Sequence, residues 1–84
     1  MESINLTQAY EHSKNNKTEL LNSHVCGCFY CKKVFNPNEI KNWLSDKKDK
    51  TALCPSCQID AVVGDASGFE ITESFLNDMN KKWF

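Results

Sequence analysis

This sequence contains no arginine: all ten of its basic residues are lysine. The planar guanidinium fork that reads guanine edges or grips phosphate at two points is therefore missing altogether. Nor is there a basic surplus. The formal net charge is -1, whereas a chain that coats phosphate backbones ordinarily carries an excess of positive charge. Long apolar runs are lacking too, and nothing approaches the ~18 consecutive apolar residues that a membrane-spanning helix needs. The opening segment carries Glu2 and no apolar stretch, unlike a signal peptide. These absences make the cytoplasm the expected compartment and remove the membrane as an expected partner.

Bulk is also scarce. A chain of 84 residues hides only ~60–65% of the surface its unfolded form exposes. Such a core rarely supplies more than ~3–5 kcal/mol unaided, so a staple is expected. A hydrophobic content of 40% and a charged content of 25% are ordinary for a folded chain and argue against disorder. Three glycines and two prolines fall mostly where helices and turns should begin or end, and no repeat or low-complexity segment is present.

What is plentiful is cysteine, with five. Cys28-x2-Cys31 and Cys54-x2-Cys57, separated by 22 residues, have the spacing of four-thiolate zinc sites. Each C-x2-C turn aims two sulfurs to one side, and two such turns close a tetrahedron. In a reducing compartment closely spaced cysteines read as metal ligands before they read as disulfides. One structural Zn2+ is the expected cofactor; iron in the same cage, or redox-active or unligated thiols, are the alternatives. Four thiolates leave no open coordination position, so the metal is expected to be scaffold and not catalyst. Cys26 and His24 are possible alternative ligands. Cys26 is otherwise a small buried hydrophobe, and His24 and His12 are polar surface.

Local patterns suggest five helical stretches around this centre. The first spans about Ile4 to His12. The second starts at Asn16, where Asn16-Lys17-Thr18-Glu19 has capping-box spacing and precedes Leu20 and Leu21. Val25 to Phe35 has the β-branched and aromatic content of a strand pair. Asn36-Pro37 with Glu39 predicts a third helix, whose apolar face is Ile40, Trp43 and Leu44 and which ends in the run from Asp46 to Lys50. Thr51 to Leu53 reads as extended. A short helix from Pro55 to Gly64 is expected, although Val62-Val63 fits a strand equally. Asp65 to Gly68 reads as a turn, and the last helix, capped by Thr72, presents Phe75, Leu76, Met79 and Trp83. The expected fold is a small α+β zinc-stabilised domain with a treble-clef or zinc-ribbon-like core and flanking N- and C-terminal helices. Its parts are a helical segment over 1–24 and a zinc-binding region over 25–84.

Leu53-Cys54-Pro55-Ser56-Cys57 and the earlier C-x2-C resemble the metal framework of HNH-type endonucleases. Those enzymes need histidines beside the knuckles to activate water, and residues 32 to 53 contain none, so the resemblance implies fold and not nuclease activity. The stretch from Cys26-Gly27-Cys28-Phe29-Tyr30-Cys31 through Gly64-Asp65-Ala66-Ser67-Gly68 to Trp83-Phe84 resembles a family of short bacterial and phage proteins, over about residues 8 to 84. That resemblance implies no activity. Lysine and asparagine together make up 19 of the 84 residues, a composition that suits an AT-rich bacterial or phage gene.

Three functional classes follow. A zinc-knit module that binds another protein is the first, with Phe29, Tyr30, Trp43, Trp83 and Phe84 as the partner surface. In a phage or mobile-element setting it would be an adaptor or inhibitor of a host nucleic-acid enzyme. Nucleic-acid binding is the second, because residues 32 to 50 hold six lysines against three acidic residues and Phe29 and Tyr30 offer rings for stacking. An enzyme using Asp60, Asp65 or Ser67 is the third, but no base is placed for a serine nucleophile and lone carboxylates rarely make an acid-base pair. Oligomeric state turns on the chain end: exposed Trp83 and Phe84 would favour a dimer, buried ones a monomer.

Overall fold

The computed structural model describes residues 5–45 and 48–84; the expectations that touch Ile4, Asp46 and Lys47 lie outside them. Helix α1 (Leu6–Glu11) is capped by Asn5, whose Oδ1 accepts the Gln8 N–H, and α2 (Lys17–Leu21) follows after a short link. The cysteine-rich centre builds a three-stranded antiparallel sheet in the order β2-β1-β5, from β1 (Cys26–Cys28), β2 (Val34–Phe35) and β5 (Val62–Gly64). A separate hairpin pairs β3 (Trp43–Ser45) with β4 (Lys50–Ala52), and α3 (Glu73–Trp83) closes the chain.

Directly opposed residues of an antiparallel pair share a face, so the register divides the sheet into two sides. Gly27 lies opposite Val63 and Val34; Cys26 lies opposite Gly64 and Phe35, and Cys28 opposite Val62. A methyl on Gly27 would sit 2.9 Å from Leu76 Cδ1 and 3.0 Å from Ile71 Cγ2, which places α3 on that face. On the other face a methyl on Gly64 would collide with Ser23 Oγ and lie 2.8 Å from Leu20 Cδ2, so α2 covers it. The two glycines let helices approach a three-stranded sheet from both sides, which is how so short a chain makes Leu20, Val62, Val63 and Leu76 fully buried. Gly64→Ala is expected to cost about 1–3 kcal/mol through overpacking, measurable as a lowered midpoint in urea. Gly27→Ala should cost less, because its closest contacts, 2.9–3.2 Å to Leu76 and Ile71, are looser than the collision at Gly64.

Two expected helices are absent. The Asn36 capping box does form: Asn36 Oδ1 accepts the Asn38 N–H at 3.1 Å and Glu39 Oε2 accepts the Asn36 N–H at 2.8 Å. It initiates only a single 3-10 turn, Pro37–Glu39, because Ile40 is extended at φ -72 and ψ 123 and buries its side chain. The Trp43-Leu44 segment then pairs with Thr51-Ala52 as a hairpin. Hairpin pairing places Thr51 and Ala52 in the core, which a helix running into residue 46 does not. Residues 55–57 likewise make a turn, and Val62-Val63 is the sheet's third strand, hydrogen-bonded to β1.

The Asn16 capping box does not form. Asn16 precedes α2 but its side chain makes no cap bond. It is 2% exposed, and its Nδ2 donates to Val62 O at 2.7 Å and His12 O at 2.9 Å, while its Oδ1 accepts the Ala52 N–H at 3.1 Å. Glu19, the box's other half, instead meets His12 Nδ1 at 3.0 Å. The α1–α2 link is thereby tied to β5 and to β4 at once.

The expected C-terminal helix is present. Thr72 Oγ1 accepts the Phe75 N–H, and Phe75, Leu76 and Met79 are buried. Trp83 stacks on Tyr10 of α1 with ring centroids 4.3 Å apart, and Asn80 Nδ2 donates to the carbonyls of Phe29 and Tyr30, both at 3.0 Å. Among the described residues no helix is long and apolar enough to cross a membrane.

Candidate metal centre

Cys28 and Cys31 sit where β1 ends and turns, and Cys54 and Cys57 sit in the turn after β4. Both turns share one backbone plan. In the first, the Cys28 N–H donates to Lys33 O at 3.0 Å, the Lys32 N–H returns to Cys28 O at 2.8 Å, and the Tyr30 N–H donates to Cys28 Sγ at 3.4 Å. In the second, Cys54 donates to Ile59 O at 3.0 Å, Gln58 returns to Cys54 O at 2.9 Å, and Ser56 donates to Cys54 Sγ at 3.4 Å. The fifth residue of each is left-handed, Lys32 at φ 65 and Gln58 at φ 62. The two motifs are thus the same knuckle built twice.

A side chain in the left-handed region costs ~1–2 kcal/mol and glycine escapes it, at ~0.5–1 kcal/mol of extra chain entropy. Lys32→Gly and Gln58→Gly are each expected to raise stability by about 0.5 kcal/mol, seen as a small rise in melting temperature at unchanged metal content.

The knuckles bring the four sulfurs within 4.8 Å of one another, with Cys28 Sγ to Cys57 Sγ and Cys31 Sγ to Cys54 Sγ both 3.6 Å. A metal with arms of about 2.3 Å has tetrahedral edges of about 3.8 Å, so the four cysteines can hold one metal ion. Burial pushes the Cys28 thiol well up and raises Cys57 too. Burial raises Cys54 too, but hydrogen bonds from the backbone N–H groups of Cys57 and Ser56, together with those of the Cys31 and Cys57 side chains, carry it below the ordinary thiol value. Four thiolates packed this closely would repel one another, and a dication among them would hold them together. Donors of this softness in a tetrahedral set suit zinc or iron.

The possible alternative ligands stand apart from the cluster. Cys26 shares a face of β1 with Cys28, but its Sγ donates to Phe35 O at 3.4 Å. Burial, then the negative charge of Glu39, pushes that thiol up to about 12, so it remains a neutral, buried hydrogen-bond donor. His24 holds its loop through its backbone N–H, which donates to Asp65 Oδ1 at 2.8 Å.

The five aromatic residues expected on a partner surface divide. Phe29 is 1% exposed and fills the core beneath the first knuckle, and Trp43 and Trp83 are half-buried. Tyr30 and Phe84 are exposed and meet edge to face at 4.8 Å. Among the described residues the lysines of 32 to 50 share no helix face: Lys32 and Lys33 leave the first knuckle, Lys41 lies in the loop after it, and Lys48 and Lys50 belong to the hairpin, Lys47 lying outside the described residues. Asp65 accepts the N–H groups of His24 and Val25, the first of which holds its carboxyl below the usual range. Ser67 Oγ donates to Gly64 O at 2.6 Å. Asp60 is exposed.

The features that sequence reasoning passed over are the doubled knuckle plan and the buried Asn16. The first had a faint signal, in that Cys28 and Cys54 each open a six-residue Cys-x-x-Cys-polar-x segment. No family model, curated protein or solved structure matches the chain. It is a small α+β protein with a cluster of four cysteines that can hold one metal ion.

Proposed function

We propose that this is a structural-zinc protein on a two-knuckle, ribbon-like scaffold, and that its task is to bind another protein. The observation that carries the reading is the closed four-sulfur cluster. All four donors are thiolates, which leaves no position for water or substrate, and closed sites of this kind are structural. Two of the three groups from which an enzyme would have to be made are engaged elsewhere, the Asp65 carboxylate and the Ser67 hydroxyl each holding a turn together, and the third, Asp60, is an exposed carboxylate. The exposed Tyr30 and Phe84 stand beside the knuckle on a rigid support, as interface anchors do. Zinc with four thiolates carries a local charge of -2, taking the folded chain to about -3, which favours a protein partner over phosphate.

Nucleic-acid binding ranks second, because the described lysines of 32–50 share no helix face on which to line up against phosphates. Two measurements test the pair of readings. Metal analysis of the reduced, purified chain is expected to give about one zinc per chain. Titration with single-stranded and duplex oligonucleotides over a salt series is expected to show no tight binding. Affinity that falls steeply with salt, reflecting several phosphate contacts, would transfer the assignment to nucleic acid.

A further inference from the structure

The open edge of the three-stranded sheet carries a more specific assignment, which rests on the binding-module reading and names its surface. An open groove of about 310 Å³ is lined by Lys33, Val34, Phe35, Glu39, Pro55 and Ser56. Val34 and Phe35 of β2 alternate between faces, so a groove that touches both, and Lys33 just before them, runs along the edge of β2 and not over one side of the sheet. The Cys28 N–H bonds to Lys33 O, and Phe35 lies opposite Cys26, so residues 33 and 35 turn their peptide groups toward β1. By the alternation of an antiparallel ladder, the N–H and C=O of Val34 point the other way. With the strand order β2-β1-β5, no described strand lies on that side.

We propose that this groove binds an extended peptide segment of a partner protein, which adds as a strand to the outer edge of β2. The Val34 N–H and C=O pair with the peptide backbone. An apolar side chain of the peptide rests on Val34, which is 50% exposed, and on Pro55. The two charged residues of the groove are already fixed: Lys33 Nζ donates to Ser56 Oγ at 2.9 Å, and Glu39 Oε2 accepts the Asn36 N–H at 2.8 Å. Lys33 retains two N–H bonds for a carboxylate on the peptide, so the segment recognised pairs an apolar residue with a neighbouring acidic one. A second copy paired edge to edge would engage the same Val34 groups, but its paired stretch, Lys33-Val34-Phe35, brings no carboxylate to Lys33. The second knuckle supplies one wall, which is why the metal centre matters to binding without touching the peptide.

The test uses the full, metal-loaded chain and a phage-displayed library of random decapeptides, with affinity of the selected peptide measured by fluorescence anisotropy. Val34→Pro removes the one outward N–H, at an edge position where proline is tolerated. Ser56→Trp fills the groove from an exposed site and leaves the β2 backbone untouched. Each variant is expected to weaken binding by about tenfold or more, with metal content and circular dichroism unchanged and the largest amide shifts of the wild type at residues 33–35 and 55–56. Should Val34→Pro misfold, Ser56→Trp carries the comparison alone. The proposal is overturned if no peptide is enriched, if the selected peptide binds the variants as it binds the wild type, or if its shifts gather at Tyr30 and Phe84. Self-association that Val34→Pro abolishes also overturns it, in favour of a second copy. A chain that holds no metal contradicts the zinc reading instead, and is seen before any peptide is added.

Discussion

Removing the metal with a chelator under reducing conditions is expected to unfold the whole chain, and not only the knuckles. The circular dichroism of the strands and of α3 should be lost together, and should return when zinc is restored. Two magnitudes decide this. Structural zinc in small domains has an apparent binding free energy of about 10–16 kcal/mol at neutral pH, whereas a chain of this size has a net stability of only about 4–13 kcal/mol. The metal term is therefore as large as everything left over. The fold shows why the loss spreads. Cys28 is the last residue of β1, the central strand, and Asn80 of α3 is bonded to the carbonyls of Phe29 and Tyr30 in the first knuckle. Opening that knuckle releases both the middle of the sheet and the helix that covers one face. Cys54→Ser should act in the same direction, whereas Cys26→Ser, which leaves the four-sulfur cluster complete, should leave metal content unchanged. A chain that keeps its cooperative unfolding transition without metal would show that the core suffices by itself.

The four-cysteine cluster was legible in the sequence because its signal is local: two sulfurs three residues apart, twice. The ends of the fold were legible for the same reason, since the Thr72 cap and the Phe75, Leu76, Met79 stripe lie within one helix. The middle was not. Ile40, Trp43 and Leu44 have helical spacing, and the Asn36 capping box ahead of them is real, yet the segment becomes a turn and a strand. What decides it is a pairing partner, Thr51-Ala52, that no window centred on residue 40 contains. The same holds for the second knuckle. Pro55 and Ile59 suit a helix start, but the Cys54 N–H is committed to Ile59 O, the Gln58 N–H to Cys54 O, and Gln58 is left-handed. In a chain with so little core, these turn bonds and a few long-range contacts outrank local propensity.

Asn16→Ala is expected to be the most damaging substitution outside the metal ligands, at about 3–6 kcal/mol. The side chain makes three hydrogen bonds at a position 2% exposed: to Val62 O across 46 residues, to Ala52 N across 36, and to His12 O. A buried group deprived of its partner costs roughly 1–3 kcal/mol, and alanine deprives three at once. Those bonds also do what apolar packing cannot. They fix the hairpin β3–β4 against the edge of β5, two separate sheets that share no ladder. Asn16→Asp separates the two contributions, because its carboxylate still accepts from Ala52 N but faces the carbonyls of Val62 and His12 without a donor. Asp is therefore expected to be at least as destabilising as Ala near neutral pH, and to recover part of the loss on mild acidification, when protonation supplies one donor. Urea unfolding of the zinc-loaded proteins above the acid range that strips the metal gives the comparison. An Asp variant as stable as wild type would show that Asn16 acts by filling space alone, and that the two sheets are held together by packing.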